Sequence, residues 1–346
     1  MIEVKKDNIL LEQTDLSFEN EAVLNPATIC EGNSIHLFYR AVQKGNFSSI
    51  GYCKLKNPFK VSERLKNPIL SPEFDYESHG MEDPRIVKID DLYYLTYTAY
   101  DGKNALGALA TSKDLKNFKK EGVIVPQIEY REFERLVSKF KLNQKYFEMN
   151  EANPSLMVKD VIFFPRRIND KLFFLQRIKP DIQIVSVNNL NELTKEFWEN
   201  YFSHFDKNIV LASMHGHEIS YIGGGCPPIE TSQGWLVIYH GASSTPDGSY
   251  IYSTCAALLE LDDPKKEIAR LPYRLFVPDQ EYELIGDVDK VVFPTGTILI
   301  KDTLFIYYGA ADERIAFASL SLSDLLAELL NYTWKDEKKN NDEVLR

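Results

Sequence analysis

The chain has 346 residues, of which 44% are hydrophobic and 26% are charged, proportions that are ordinary for a globular protein with a large buried core. A net charge of −11 argues against a nucleic-acid partner, because phosphate backbones are bound by basic surfaces, and no stretch approaches the roughly 18 apolar residues of a membrane-spanning helix. The N-terminal residues lack the apolar core of a signal peptide and the four cysteines form no CxxC pair, so we expect a cytoplasmic protein without a zinc site or a disulfide framework.

One pattern recurs five times along the chain. In each copy a polar turn leads into an apolar and aromatic run, and a second strand-like run follows. The first runs are NSIHLFYRAV (33–42), DLYYLTYTAYDG (91–102), DKLFFLQRI (170–178), QGWLVIYHGA (233–242) and DTLFIYYGAAD (302–312). Repeats of short strands spaced roughly 55–80 residues apart are typical of a β-propeller, so the sequence predicts an all-β, five-bladed β-propeller. A β-sandwich whose strands are similar by chance is the alternative.

Three segments break the β pattern and predict helices. Residues 129–147 place apolar side chains at helical spacing, and residues 188–203 suggest a second, shorter helix. The stretch SLSDLLAELLNYTW predicts a C-terminal helix with Ser321 or Ser323 as its N-cap. These segments are therefore additions to a protein built mainly of strands.

No Gly/Ser-rich or Pro-rich linker divides the chain. We therefore expect one catalytic domain over residues 1–346. Within it, the helical insertion covers about 125–160, and the C-terminal helix with a charged tail covers about 321–346.

A propeller binds its ligand where the blades converge, so functional residues should be scattered among the repeats. The polar residues in or beside the repeated strands are Asn25, Arg40, Asp83, Arg85, Asp101, Arg166, Arg177, His240 and Asp312. A turn is the competing interpretation for Asp101, which precedes Gly102, and for Asp83, which precedes Pro84. The HGHE stretch (215–218) brings two histidines and a glutamate together, but a metal site needs a further ligand that the sequence does not place nearby.

Five segments of the chain, in order, match the motifs of one enzyme family. They are GMEDPRIVKIDDLYYLTYTAYDG, VIFFPRRINDKLFFLQR, YIGGGCPPIETSQGWLVIYHGA, AALLELDDPKKEIAR and DKVVFPTGTILIKDTLFIYYGAAD. They resemble glycoside hydrolase family 130, which comprises β-mannoside phosphorylases and β-1,2-mannosidases and has a five-bladed β-propeller fold. The resemblance extends from about Asn25 to Asp312. It implies inverting phosphorolysis of a small β-mannoside to mannose 1-phosphate and a free acceptor sugar, with phosphate as co-substrate and no other cofactor.

The resemblance also implies roles for individual residues. Asp83, in the family's DPR motif, is the general acid, and its proton reaches the glycosidic oxygen through a mannose hydroxyl while phosphate attacks the opposite face. Arg85 of the same motif orders the loop. The residues expected at the phosphate are Arg166, Arg177, His240 and Tyr252. The residues expected at the substrate are Asn25, Arg40, Arg85, Asp101, Tyr221 and Asp312.

Two departures from the family pattern keep other functions open. Tyr221 stands where many phosphorylases have a lysine, and Arg177 is followed by Ile178 where proline is usual. Loss of the lysine removes a positive charge from the expected phosphate site, which favours a second hypothesis: an inverting β-1,2-mannosidase with Asp83 as acid and Glu218 or another carboxylate as base. A solvated loop residue is the competing interpretation of Glu218.

A non-catalytic carbohydrate-binding propeller is the third hypothesis, because a fold does not determine a function. The insertion at about 125–160 is expected to select the linkage and the acceptor sugar, to form contacts in a homo-oligomer, or to cap a blade.

Overall fold

The structure, a computed structural model, describes residues 2–148, 154–246 and 248–333, and it is built mainly of β-strands. In chain order the strands are β1 (Lys5–Leu11), β2 (Ala22–Glu31), β3 (Ser34–Gln43), β4 (Phe47–Asn57), β5 (Lys60–Arg64), β6 (Gly80–Ile89), β7 (Leu92–Tyr100), β8 (Ala105–Ser112), β9 (Phe118–Val123), β10 (Lys159–Phe163), β11 (Leu172–Ile178), β12 (Asp181–Val187), β13 (Ile209–Leu211), β14 (Tyr221–Gly224), β15 (Ile229–Thr231), β16 (Gly234–Ser244), β17 (Tyr250–Leu259), β18 (Glu267–Arg270), β19 (Val292–Ile300), β20 (Thr303–Ala310) and β21 (Arg314–Ser321).

These strands pair as five consecutive antiparallel units. The units are β2–β5, β6–β9, β10–β13, β14–β18 and β19–β21, and β1 pairs with β21 to complete the last one. A single parallel bridge between Ser48 and Gly80 joins the first two units into one sheet. The five aromatic runs are strands β3, β7, β11, β16 and β20, and the second runs are β4, β8, β12, β17 and β21, so the prediction of these strands is confirmed.

The middle strands are buried on both faces, which explains why their sequences are continuous apolar runs rather than alternating ones. All eight residues of β8 and the first ten of β16 are buried. Neighbouring units pack face to face, as where the rings of Phe164 and Trp235 meet edge-on with centroids 5.1 Å apart. Apolar side chains on both faces of each unit are thereby removed from water.

The first strands of three units bend at the same place. β2, β6 and β10 each contain a bulge, at Asn25, Asp83 and Asp160, where φ is +49°, +48° and +53°. Asparagine and aspartate adopt this left-handed conformation more readily than other residues with side chains, and a bulge redirects the side chain that it carries. The turn that the sequence suggested at Asp83-Pro84 is thus a bulge within β6.

A buried glutamate organises four of the five units in the same way. In each, a tyrosine hydroxyl of a middle strand donates to the glutamate, and a cation from the outer strand pairs with it. The sets are Glu19–Tyr39–Arg64, Glu77–Tyr97–Lys120, Glu218–Tyr239–Arg270 and Glu283–Tyr308–Lys6. All four glutamates are fully buried. In β10–β13, Gln176 stands in the tyrosine's place and contacts Tyr201.

Five short α-helices accompany the strands. They are α1 (Tyr130–Val137), α2 (Lys145–Glu148), α3 (Lys195–Phe202), α4 (Glu281–Leu284) and α5 (Leu322–Leu330) among the described residues. Phe133 of α1 packs edge-on against Phe202 and Phe205, with ring centroids 5.5 Å apart in both pairs. The insertion therefore fills a core beside the second and third units.

The C-terminal helix begins as its sequence predicts. The Ser321 hydroxyl accepts a hydrogen bond from the Asp324 amide at 3.1 Å, so Ser321 is the N-cap. The charged tail from residue 334 onward lies outside the described residues.

None of the helices in the described ranges has the length and apolar character needed to cross a bilayer.

Candidate active site

Every unit contributes a residue of its first strand to one cavity of about 470 Å³. These residues are Asn25 of β2, Asp83 of β6, Lys159 of β10, Tyr221 of β14 and Phe293 of β19. Further lining side chains are Arg40, Glu82, Arg177, Lys179, Tyr252 and Asp312. Most of the predicted site residues therefore meet in one polar cavity, although they come from distant parts of the chain.

Asp83 lies at this cavity within a network of hydrogen bonds and charges. Asn25 Nδ2 donates to Asp83 Oδ1 at 2.6 Å, and an Arg40 nitrogen lies 4.0 Å from the same oxygen. Burial acts to raise the pKa of Asp83, but Lys159, Arg40 and Arg85 outweigh it and hold the pKa below its ordinary value. Asp83 is therefore a carboxylate at neutral pH when the cavity holds no anion.

Arg85 fixes the bulge from behind instead of lining the cavity. Its guanidinium donates to the backbone oxygen of Asp83 at 2.8 Å and to that of Gly224 at 3.3 Å, and it also contacts the Gly225 oxygen. Because Gly224 and Gly225 belong to the fourth unit, Arg85 joins two units at the site. The loop-ordering role expected for Arg85 agrees with these contacts, whereas the expected substrate contact is not supported.

Three cations line the cavity close together in the fold, and we call them the cationic group: Lys159 on β10, Arg177 on β11 and Lys179 directly after β11. The guanidinium of Arg177 lies 2.9 Å from Asp160 Oδ2 and donates to His240 Nε2 at 3.2 Å. A guanidinium can only donate, so His240 is neutral, and burial together with Arg177 holds the pKa of His240 well below its ordinary value. His240 is fully buried behind Arg177 and does not line the cavity, so the structure supports a role in positioning Arg177, and the contact with phosphate stays a prediction.

Tyr221 lies beside two cations of this group, and the Arg177 guanidinium is 5.5 Å from the centre of its ring. Its hydroxyl is hydrogen-bonded to that of Tyr252, and Lys179 Nζ lies 3.9 Å from the centre of its ring. Lys159 Nζ lies 3.3 Å from Glu82 Oε2, and Glu82 Oε1 in turn lies 2.9 Å from an Arg40 nitrogen. The cavity thus contains an acidic group, around Asp83, and a cationic group, around Tyr221.

Sequence reasoning missed Lys159 and Lys179, although one pairs with Arg177 across two strands and the other follows it closely in the chain. Lys159 pairs directly with Arg177 in the β10–β11 register. Lys179 comes two residues after Arg177, in the turn that follows β11. The pairing across β10 and β11 could have identified Lys159 once Arg177 was chosen, whereas strand alternation does not describe the turn that carries Lys179.

Two predicted site residues lie elsewhere. Arg166 forms two hydrogen bonds, at 2.8 and 2.7 Å, with the carboxylate of Glu230 and packs over the ring of Trp235, so the prediction that it binds phosphate is corrected. Asp101 accepts hydrogen bonds from the amides of residues 103 and 104, at 2.8 and 2.7 Å, and does not line the cavity. The turn interpretation of Asp101 is confirmed.

Glu218 is neither a solvated loop residue nor a residue of the cavity. Its carboxylate accepts hydrogen bonds from Tyr239 at 2.5 Å, from Met214 N at 2.9 Å and from Arg270 at 3.3 Å. The tyrosine and cation contacts repeat in all four sets, and the backbone-amide contact repeats at Glu77 and Glu283. The proposed role of Glu218 as a hydrolytic base is therefore corrected to a structural one.

The HGHE stretch forms a 3₁₀ turn at Gly216–Glu218. The ring of His215 stacks on that of His217, and His217, Glu218 and Cys255 approach one another within 4.8 Å. Cys255 is the further candidate ligand that the sequence did not place near the HGHE stretch. The oxygens of Glu218 are already occupied by hydrogen-bond donors and Arg270, which leaves the carboxylate poorly suited to a cation.

Asp312 differs from Asp83 in its protonation. Burial and the Asp83 charge raise the pKa of Asp312 from 3.8 to about 7, against the opposing effect of Arg40. The folded protein therefore binds a proton here that the unfolded chain releases near pH 4. Stability contributed by this protonated group is lost as the pH rises from about 4 to about 7.

We expect Asp312→Asn to stabilise the protein at pH 8 by about 1–3 kcal/mol. The difference in free energy of unfolding between the variant and the wild type should become smaller toward pH 5. Asparagine removes the buried charge and tolerates the φ of +50° at this position. Urea unfolding at both pH values measures the effect. Asp101→Asn is the control, because the pKa of Asp101 lies below its ordinary value and its charge does not destabilise the fold. An equal gain in the free energy of unfolding at both pH values would contradict the ionisation of Asp312 as its cause.

A second cavity, of about 540 Å³, adjoins the first and shares Arg40, Asn46 and Asp312 with it. Its other polar side chains are Glu21, Asp287 and Glu313. The two cavities together have room and hydrogen-bonding groups for a polar ligand longer than one sugar ring.

An acidic group and a cationic group in one polar cavity form a site suited to a sugar and an anion. The sequence model of glycoside hydrolase family 130, described as beta-1,4-mannooligosaccharide phosphorylase, matches residues 6–331, and the chain belongs to this family. This confirms the family expected from the sequence motifs.

Known proteins resemble the chain over most of its length. It is 33% identical to a 1,2-beta-oligomannan phosphorylase of Thermoanaerobacter sp. (strain X514), over 92% of this chain and 96% of that protein. It is 35% identical to a beta-1,2-mannobiose phosphorylase of the same organism, over 87% and 90%. The fold is similar to that of the beta-1,2-mannobiose phosphorylase from Listeria innocua in its beta-1,2-mannobiose complex, with a TM-score of 0.72, 23% identity and coverage of 94% and 99%.

Proposed function

We propose that the protein cleaves β-1,2-linked mannosides by inverting phosphorolysis. The observation that carries this proposal is the single cavity in which Asp83 and a group of cations face the same space. Membership of glycoside hydrolase family 130 supports an activity on β-mannosides, and the names of the two Thermoanaerobacter relatives support the β-1,2 linkage.

The two groups divide the reaction between them. Phosphate binds to Lys159 and Arg177 of the cationic group and to the hydroxyl of Tyr252, and the terminal mannose lies between phosphate and Asp83. A phosphate oxygen forms the new bond to the anomeric carbon while the glycosidic carbon–oxygen bond breaks with inversion. The departing oxygen takes its proton from Asp83 through a mannose hydroxyl. Because phosphate arrives ionised, no base carboxylate is required.

Phosphate binding also prepares the acid. Lys159 is the strongest cationic influence that keeps the pKa of Asp83 low. A phosphate dianion beside Lys159 neutralises that influence, so the pKa of Asp83 rises when the co-substrate is bound. The acid is thereby more readily protonated in the complex that needs it.

We also infer that the five units are the blades of a single-domain propeller around this cavity. The first strand of each unit supplies a lining residue, β2 packs against β6 and β19, and β10 packs against β6 and β14. Pairing of β1 with β21 supports a ring in which the two ends of the described chain complete one blade.

The competing function is hydrolysis, which requires a carboxylate that activates water. The carboxylates among the described residues lining the cavity are Glu82, Asp83 and Asp312. Glu82 is paired with Arg40 and Lys159, and Glu218 belongs to a structural set. The number of cations favours phosphate over water as the nucleophile.

The assay compares β-1,2- and β-1,4-mannobiose, each with and without phosphate. We expect α-mannose 1-phosphate and free mannose in equal amounts, from the β-1,2 substrate in preference, and only when phosphate is present. Phosphorus NMR and sugar chromatography measure the products. Mannose released at the same rate without phosphate would establish hydrolysis instead, and no turnover of either substrate would favour a carbohydrate-binding protein.

A further inference from the structure

The cationic group contains a lysine that the matched motifs do not assign. Lys179 follows β11 and lines the cavity beside Arg177, with its ammonium 3.9 Å from the centre of the Tyr221 ring. We propose that Lys179 binds phosphate and supplies, over the face of Tyr221, a positive charge that Tyr221 itself cannot provide. This inference rests on the proposed phosphorolysis and identifies a residue that determines the affinity for phosphate.

The backbone holds Lys179 and Tyr221 together. Ile222 N, next to Tyr221, donates to the oxygen of Pro180, next to Lys179, at 2.9 Å. The segment after β11 is fixed by the buried side chain of Gln183, which accepts from Ile178 N at 2.7 Å and donates to Ile178 O at 3.0 Å. The backbone positions of Lys179 and Tyr221 relative to each other are therefore fixed by the fold, and the ammonium lies over the ring from there.

The electrostatics of the cavity suit a doubly charged anion. Burial, and after it the charges of Arg177 and Lys159, lower the pKa of Lys179 to about 7. Asp160 and Glu82 pair with Arg177 and Lys159 respectively and so compensate part of the positive charge. An anion that contacts all three cations relieves their mutual repulsion, which is the condition for tight phosphate binding at this place.

Lys179→Met tests the charge while keeping a flexible apolar chain on the Tyr221 ring. We expect the KM for phosphate to rise about 10- to 100-fold, the effect of losing one charged contact, with a much smaller change in the KM for the mannoside. The increase in unfolding temperature that phosphate causes in the absence of sugar should shrink in parallel. Lys195→Met is the matched control, because Lys195 is exposed on α3 and pairs with Glu199.

A second substitution separates loss of charge from loss of structure. In Lys179→Met combined with Tyr221→Lys, the new ammonium enters the cavity from β14, so the KM for phosphate should return toward the wild-type value. An unchanged phosphate KM in Lys179→Met, or equal increases for phosphate and mannoside, would overturn the role of Lys179 alone. Wild-type turnover at the same rate with and without phosphate would overturn the proposed function itself. The two outcomes are therefore distinguishable.

Discussion

Asp83→Asn should reduce phosphorolysis of β-1,2-mannobiose by about 10²–10⁴-fold, the usual contribution of a general acid. The substitution removes the transferable proton and the negative charge but keeps the shape, because asparagine is isosteric and tolerates the φ of +48° at the bulge. Its side-chain oxygen can still accept the hydrogen bond that Asn25 donates at 2.6 Å. The rate constants kcat and kcat/KM, measured at saturating phosphate, give the size of the effect.

Two comparisons show whether the loss is chemical. Asp101→Asn makes the same substitution in a turn away from the cavity, where the oxygen that accepts from residues 103 and 104 is retained, so activity should stay within about 2-fold of wild type. Asp83→Asn should still gain thermal stability from phosphate, because Lys159 and Arg177 are intact. Activity above about one tenth of wild type in Asp83→Asn would remove this residue from the acid role.

The sequence predicts the β units well because each one is a local pattern. A turn followed by an aromatic run that is buried on both faces can be recognised within about ten residues, and all five such runs are strands. The helix expected over 129–147 is instead two short helices, since the segment from Ser138 to Gln144 lies between α1 and α2. Helix boundaries depend on tertiary packing, here of Phe133 against Phe202 and Phe205, which a periodic pattern does not contain.

The site is predicted less completely, because its residues meet through contacts between units. Asp83, Arg177 and Asp312 follow from motifs and do line the cavity, whereas Arg166, in an equally good motif, faces Glu230 and Trp235. An arginine at the end of a strand can point to either side, and its partner decides which. Lys159 is identified as a site residue by its pairing across the β10–β11 ladder.

Glu218→Gln should destabilise the protein by about 3–5 kcal/mol while the folded fraction keeps its activity. Glutamine removes one of the two charged partners of the buried Arg270 guanidinium, the one 3.3 Å away. Arg270 also pairs with Glu267 at 2.7 Å, which places the expected loss toward the lower end of this range. Urea unfolding measures the stability, and kcat per folded molecule, taken at a temperature where the variant is folded, measures the activity.

The repeated architecture provides a matched control within the same chain. Glu77 has the equivalent position in the second unit, with Tyr97 and Lys120 as partners, and no sequence motif offers it as a base. Glu77→Gln should therefore cause a similar loss of stability and a similarly small change in kcat. If Glu218→Gln abolished turnover in folded protein while Glu77→Gln did not, Glu218 would act in the chemistry, and the case for hydrolysis would be restored. Equal behaviour of the two variants assigns Glu218 to the framework that holds the outer strands, and leaves the chemistry to the cavity around Asp83.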